Sequence, residues 1–394
     1  MEKKENQYAL IQNCFRYFDM GIIGKSPIHL SYFQMPGAFS FKPLPKKECI
    51  FQLYDLLTNK YHFLAKNLWA TYFNGDTIGK KKLPADKETF QAWIDVGIPK
   101  QNIIGLDSKH NFWKQSPHNA GKKYAPKCGA HTEIFYDRGE NLKCRAHCFP
   151  GCNCGRFIEV TNTLFITYHI DDKTGYVQPL DKPFTETVIG LERVAMLQQN
   201  VSSVFEIDSL HPLICYIRSV SQKKLLITDN TFSVNERVIA DHIRAILLLT
   251  FDGAPSPGKG GRARLMRKLI RETLTSLKLM NINDSKLINS IVEFAINFYS
   301  SFHPQLLRIQ TRVLDYINEE KERFDLTLEK GYRRINRIVT NKLDKIISGE
   351  DIVKLEKQYG IPYCIVKHQL QKNDIKFSEY AYRKSLEQWK QINC

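Results

Sequence analysis

Residues Ala240 to Leu274 read ADHIRAILLLTFDGAPSPGKGGRARLMRKLIRETL, and the character of the second half of the chain follows from them. An apolar segment is joined to a basic amphipathic one through a Gly/Pro-rich turn, Gly253 to Gly261. In the second segment Met266, Ile270 and Leu274 recur at i, i+4 and i+8, with Leu265 and Leu269 beside them, which is the spacing of a helix with one buried face. Arg264, Lys268 and Arg271 form another stripe, and Arg262 and Arg267 add to the charge. Periodicity alone leaves two readings open. One is a solvated face over a core helix; the other is a surface for phosphates, entered by a glycine-rich turn that lets a bulky partner approach.

The totals narrow the field. A chain of 394 residues has room for two domains, and 43% hydrophobic with 25% charged residues is ordinary for a globular protein. A net charge of +16 and an isoelectric point near 9.3 are not ordinary, and favour a polyanionic partner, nucleic acid first. The N-terminus, MEKKENQYAL, lacks a signal-peptide core, and the longest apolar runs, such as Ala245 to Leu249, are too short to span a bilayer. The expectation is a cytoplasmic protein with no membrane partner, in which ten cysteines argue against a disulfide framework.

Outward from the opening stretch, the pattern is helical from Glu192 onward: segments near 190–199, 205–222, 236–250, 262–279, 284–301, 304–346 and 349–358. Before it, residues 14–41 read as strand, loop, strand. Residues 48–68 show helical spacing through Ile50, Leu53, Leu56 and Leu57. Residues 69–125 are mixed, with lysine-rich loops at Lys80 to Lys82 and around Lys122 and Lys123. Cys128 to Asp137 and Phe157 to Tyr168 read as strands, and Asp171 to Gly175 as a hairpin turn. Strand alternation puts Ile158, Val160, Leu164 and Ile166 on one face with Asn162 among them. An amide there is either a satisfied core group or bulge, or a functional residue. The composition shift places a boundary near 198, giving domains 1–198 and 199–394.

Cys144, Cys148, Cys152 and Cys154 lie in KCRAHCFPGCNCGR. Four thiolates in a loop that Pro150 and Gly151 can turn tightly would close a tetrahedral zinc site, with His147 able to replace one of them. The other reading is four free thiols. A site closed by four protein ligands staples its loop and catalyses nothing.

These motifs together resemble one family. ADHIRAI…DG…PS…GR…LMRKLIR is similar to a stretch of alanyl-tRNA synthetases. QNCFRYFDMGIIGKSPIHLSYFQMPGAFSF resembles their class II motif 2, and KKECIFQLYDLLT…LWATYF the helix and strand after it. NFW at 111–113, CGAHTEIFYDRG at 128–139, RFIEVTN, ETVIGLERVAMLQ (motif 3) and SGEDIVKLEKQYGIP follow in the family's order. The resemblance runs from about Gln12 and implies an α+β chain: a class II antiparallel sheet with flanking helices, then an all-helical tRNA-recognition domain. It looks like a truncated or stand-alone paralogue, without the motif 1 region, the editing domain or the C-terminal domain.

The resemblance also implies roles. Activation brings a carboxylate onto the α-phosphate of ATP, so fixed cations must neutralise charge. Arg16 would bind the α-phosphate and carboxylate, His29 the terminal phosphates, Phe33 the adenine, and Arg193 the far end of the triphosphate. Mg2+ would bridge the phosphates, with Glu159 a candidate ligand. Trp113, Asn162, Glu186 and Val188 match amino-acid pocket positions, and Lys259, Arg262, Arg264, Arg267, Lys268 and Arg271 would face tRNA. The implied activity is ATP-dependent activation of a small amino acid, alanine by default, and its transfer to tRNA. The alternative is a ligase that passes the aminoacyl group to a metabolite or carrier protein. Five departures stand out: the absent motif 1; a shorter motif 2 loop with Tyr17 and Phe18; a pocket changed at Glu186, Val188 and Thr161; a rewritten turn from Ser256 to Arg262; and no editing site, so that a mischarged small amino acid would not be cleared.

Overall fold

The computed structural model describes residues 6–42, 44–116, 125–152, 154–171, 173–221, 233–340 and 346–393; Lys122 and Lys123 lie outside them. In the first half the order is β1 (Gln7–Phe15), β2 (Tyr32–Ser40), α1 (Lys46–Asp55), β3 (Leu68–Phe73), β4 (Asp76–Ile78), β5 (Lys81–Leu83), α2 (Lys87–Asp95), β6 (Ile103–Leu106), α3 (Ser108–Asn111), β7 (Phe112–Lys114), β8 (Lys127–Asp137), β9 (Phe157–Ile170), β10 (Val177–Ile189) and α4 (Leu191–Gln198). The second half is helical: α5 (His211–Val220), α6 (Val234–Phe251), α7 (Gly261–Leu279), α8 (Ser285–Ser300), α9 (Gln310–Thr340), α10 (Gly349–Lys357), α11 (Tyr363–Lys372) and α12 (Glu379–Asn393).

The chain forms two compact units, residues 1–15 with 33–207 and residues 16–32 with 208–394. The first is built on one sheet, ordered β1-β2-β10-β9-β8-β3-β6, with β7 on β8. The pairs β2–β10, β10–β9, β9–β8 and β8–β3 are antiparallel, as the class II resemblance implies, and β6 joins parallel at the edge. One sheet face packs on helices. Ile50, Leu53, Leu57, Trp93, Ile134, Val160 and Ile189 share a core cluster in which Trp93 is fully buried. The helix expected over 48–68 is shorter than its apolar spacing: α1 ends at Asp55, a π-turn runs Leu56–Lys60, and β3 begins at Leu68. The stripe still does its work, since Ile50, Leu53 and Leu57 are buried and Leu56 packs against them.

Strand alternation fails at one informative place. The β8–β9 register slips between Ile134/Phe135, where Thr161 faces Ile134 and Glu159 faces Phe135. The extra residue on β9 sends Val160 into the helix-packed core, away from Asn162, which pairs with Glu133 and Val188. Thr161 pairs with Ile134 and Ile189, both core residues, so the departure expected to alter the pocket at Thr161 falls instead on the core side of the sheet. A second slip lies between Cys128 and His131, where Gly129 sits so close to the Phe165 carbonyl that a Cβ could not fit.

In the helical unit the helices expected at 236–250, 262–279 and 284–301 appear as α6, α7 and α8. The one expected at 205–222 begins at His211, behind the histidine–proline start of α5. The one expected at 304–346 is a short 3-10 turn, Pro304–Ile309, followed by α9. Two further helices, α11 and α12, were not indicated by periodicity. α6 is buried along most of its length, which accounts for its all-round apolar run, and a capping box of Ser233 and Glu236 starts it. Residues 16–32 belong to this unit because α6 grips them. Arg237 donates to the Gly24 carbonyl at 3.3 Å, Asp241 accepts from Ser31, and the Arg244 guanidinium lies over the Tyr32 ring at 5.8 Å. Gly24 makes the approach possible: its φ is +79°, and a Cβ there would lie 2.7 Å from the Val234 carbonyl.

Candidate functional site

The sheet face opposite the core cluster gathers the polar residues. Two rows cross it: His131, Leu164, Glu186 and Phe39, then Glu133, Asn162, Val188 and Gly37. Directly paired residues in an antiparallel sheet share a face, so Glu133, Asn162, Glu186 and Val188 point the same way. Phe33 falls on this face by alternation along β2, and Trp113 pairs with Gly129 on the neighbouring β7.

The side chains converge further. Asn162 Nδ2 donates to Glu133 Oε1 at 3.3 Å, and His131 Nε2 is 3.5 Å from the same oxygen. Arg193, in the first turn of α4 directly after β10, donates through one nitrogen to the Glu159 carboxylate and carbonyl, both at 3.0 Å. Burial pushes the Glu133 carboxyl up, and the charge of Glu159 adds to this against the lowering effects of His131 and Arg193. Glu186 is pushed up as well, by burial, with Lys127 acting against it. The Asn162 Oδ1 is buried without a hydrogen-bond partner. Two carboxylates held above their ordinary range by burial on one sheet face make a place where added positive charge would be stabilised.

Three supporting residues lie within the motifs quoted above, where the sequence gives them no role of their own. Glu192, beside Arg193, is buried and accepts the Gln34 backbone N–H on both oxygens at 3.2 Å, fastening α4 to β2. Asn111 is fully buried and donates to Thr71 Oγ1 at 2.8 Å and to the His131 carbonyl at 3.1 Å. Glu133 stands on an alternating strand, CGAHTEIFYD; a lone glutamate among its apolar neighbours was the available signal.

The residues expected to meet phosphates and tRNA, other than Arg193, lie in the helical unit. Arg16 pairs with Asp19 at 2.9 Å and lies over the Phe18 ring, and its N–H donates to the Ser31 carbonyl. His29 Nδ1 is 2.6 Å from Ser26 Oγ. Arg264, Arg267, Lys268 and Arg271 line a groove of about 640 Å³. Lys25, Glu272, Glu356 and the start of α11 at Tyr363 complete its wall. Lys259 is exposed ahead of the groove's helix α7, and Arg262 is exposed in its first turn. Within the stripe Arg271 differs, because its Nε donates at 2.6 Å to Glu320, which is buried. It is partly a structural ion pair, while Arg264 and Lys268 are exposed.

The cysteine loop closes on itself. The sulfurs of Cys144, Cys148 and Cys152 lie within 4.8 Å of one another, and Cys148 Sγ is 3.5 Å from Cys154 Sγ. Desolvation and hydrogen bonds to Cys154 and Cys148 push the Cys144 thiol up to about 12. A tetrahedral zinc with bonds of about 2.3 Å needs ligand sulfurs about 3.8 Å apart; Cys144, Cys148 and Cys152 are grouped closely enough to hold such an ion, and Cys154 approaches the group through Cys148. His147 is not in the group.

A sheet with motif-like residues on one face and a helical unit beyond it in sequence defines a class. A family model described as tRNA synthetases class II (A) matches residues 1–393, and the chain belongs to that family. The match thus begins earlier than the resemblance from Gln12. The curated relatives are more particular. The chain is 31% identical over 399 residues to an alanine–tRNA ligase of Alkaliphilus oremlandii, covering 99% of this chain and 42% of the relative. It is 32% identical over 365 residues to the alanine–tRNA ligase of Dehalococcoides mccartyi, covering 91% and 39%, and 28% identical over 392 residues to that of Acetivibrio thermocellus, covering 98% and 42%. The chain spans about two fifths of the length of these relatives. Apo histidyl-tRNA synthetase of S. aureus matches 56% of the chain at a TM-score of 0.27 and 11% identity, too slight a likeness to argue from. Among the described residues no helix is long and apolar enough to cross a membrane.

Proposed function

We propose that the chain activates a small amino acid, alanine by default, with ATP and transfers it to the 3′ end of a tRNA. The observation that carries this reading is the convergence of Arg193–Glu159 and Glu133–Asn162 on one sheet face beside Glu186. The substrate carboxylate attacks the α-phosphate and pyrophosphate leaves, so the protein's task is positioning and charge neutralisation, with no general base. Arg193 takes the terminal phosphates, exchanging Glu159 for them; Glu186 and Asn162 hold the substrate ammonium; Val188 narrows the pocket; Trp113 closes it; Phe33 stacks on adenine. Arg16 and His29 neutralise the α- and terminal phosphates. Mg2+ carried by the nucleotide fits the carboxylates of Glu133 and Glu159, and supplies charge neutralisation when bound. The basic groove, with Lys259 and Arg262, takes the RNA backbone, and the four cysteines hold a structural zinc. The relatives named above are all tRNA ligases, which gives a non-tRNA acceptor no support.

Amino-acid-dependent pyrophosphate exchange, run across the twenty amino acids and followed by charging of total tRNA, tests this. Exchange with one small amino acid and acid-precipitable, alkali-labile label on tRNA are expected. Absence of exchange with every amino acid overturns the enzyme reading, and exchange without charged tRNA overturns the acceptor.

A further inference from the structure

The helical unit contains a buried chain of charges that neither the groove nor the nucleotide residues account for. Ser31 donates through its N–H to Asp241 Oδ1 at 2.9 Å and through its hydroxyl to Oδ2. Asp241 Oδ2 is 2.8 Å from His242 Nδ1, and His242 Nε2 is 3.0 Å from Glu272 Oε2. Glu272 Oε1 lies 3.7 Å from Lys268 Nζ, and both residues line the basic groove. Asp241 and His242 are 1% and 0% exposed. At its other end the chain holds the segment 16–32, in which the Ser31 carbonyl accepts from the Arg16 N–H at 2.8 Å. Burying two ionisable groups side by side, Asp241 and His242, is costly unless each is bonded, and an apolar replacement would stabilise the fold at least as well. Their arrangement therefore asks for a purpose beyond packing.

We infer that Ser31–Asp241–His242–Glu272 is a positioning relay: it ties the segment bearing Arg16 and His29 to the basic groove, so that a phosphodiester polyanion in the groove and the alignment of that segment are energetically linked. The inference rests on the proposed activity for its purpose but not for its test. Lys268 shares the Glu272 carboxylate with His242. A phosphate that draws Lys268 away leaves Glu272 to His242 alone, which strengthens the imidazolium and, through it, the Asp241 hold on Ser31. Linkage is reciprocal, so ordering of segment 16–32 strengthens groove binding by the same factor. His242 is a positioning residue in this scheme and touches no substrate.

Amide hydrogen exchange on the full chain tests the relay without any catalytic assay, with a short RNA hairpin as the probe. In the wild type the hairpin is expected to slow exchange across residues 16–32 at least threefold. In His242→Gln, which can hold only one of the two carboxylates, the hairpin still binds with the same salt slope while that protection disappears. Without RNA, exchange in 16–32 rises in His242→Gln and, less, in Ser31→Ala, with residues 33–40 unchanged. The two substitutions together do no more than His242→Gln alone. Equal protection in wild type and His242→Gln overturns the relay, as does unchanged exchange of residues 16–32 in both folded variants. Should the hairpin not bind the wild type, the RNA reading of the groove fails, and with it the linkage. Failure of pyrophosphate exchange in the wild type overturns the activity but leaves these outcomes intact.

Discussion

The sheet face of the first unit and the α6–α7 core of the second both bury charge, but they treat it differently. On the sheet face Glu133 and Glu186 are held above their ordinary range, and the Asn162 Oδ1 has no hydrogen-bond partner. Along α6, Asp241 and His242 are bonded at every step to Ser31 or Glu272. Underpaired buried polar groups are expensive, and a fold keeps them where something else will pair them. Fully paired ones serve to hold a shape. The contrast separates a face whose polar groups are left underpaired from a core whose charges are paired in place.

The largest break in that contrast should come from Arg193. Arg193→Ala is expected to lower pyrophosphate exchange at least ~10³-fold, and Arg193→Lys to recover only part, because a point charge cannot reproduce a fork-shaped donor set. Activity within tenfold of wild type in a folded Arg193→Ala protein would remove the sheet face from catalysis. Glu186→Gln comes next: loss of the carboxylate should raise KM for the amino acid by about 10–100-fold, with KM for ATP little changed. Steady-state exchange kinetics in each substrate separate the two.

The groove should answer more mildly. Arg264→Ala and Lys268→Ala are each expected to weaken RNA binding regardless of sequence and to reduce the salt slope by about one. Arg271→Ala should instead cost stability, since it strips the 2.6 Å partner from buried Glu320 and leaves it only Arg323 at 3.6 Å among the described ion pairs. Filter binding at several salt concentrations and thermal melts distinguish these outcomes.

The smallest effect is a pH dependence of stability. Burial pushes His242 toward neutrality, but the Asp241 and Glu272 carboxylates outweigh it and raise its pKa to about 9. A raised histidine stabilises the fold fully below its unfolded pKa of about 6.5, and that contribution is lost as pH rises through about 9. The melting temperature should fall over that window, and His242→Gln should flatten the fall. An identical slope in the variant would assign the titration to another group.

Much was legible in advance. The apolar spacing of Met266, Ile270 and Leu274 described a helix that does bury those residues, and the same arithmetic located α6, α8 and α10. Glycine–leucine–glutamate–arginine after a strand put Arg193 in the first turn of a helix, where the structure has it. The β9 face was misread at Val160 because alternation assumes an unbroken pleat, and one extra residue reverses it. Glu133 and His131 were passed over because their significance comes from Asn162 one strand away.

By itself, then, the sequence determined what repeats along the chain: helix periods, strand alternation, the basic stripe and the cysteine spacing, all set by local geometry. Only the tertiary structure decided what depends on groups far apart in sequence meeting. It placed the bulge that turns Asn162 from the core, and it placed residues 16–32 in the helical unit. It also separated Arg271, tied to Glu320, from its exposed neighbours. The physical reason is the same in each case: a buried polar group must find a partner, and the partner it finds is fixed by packing, not by spacing.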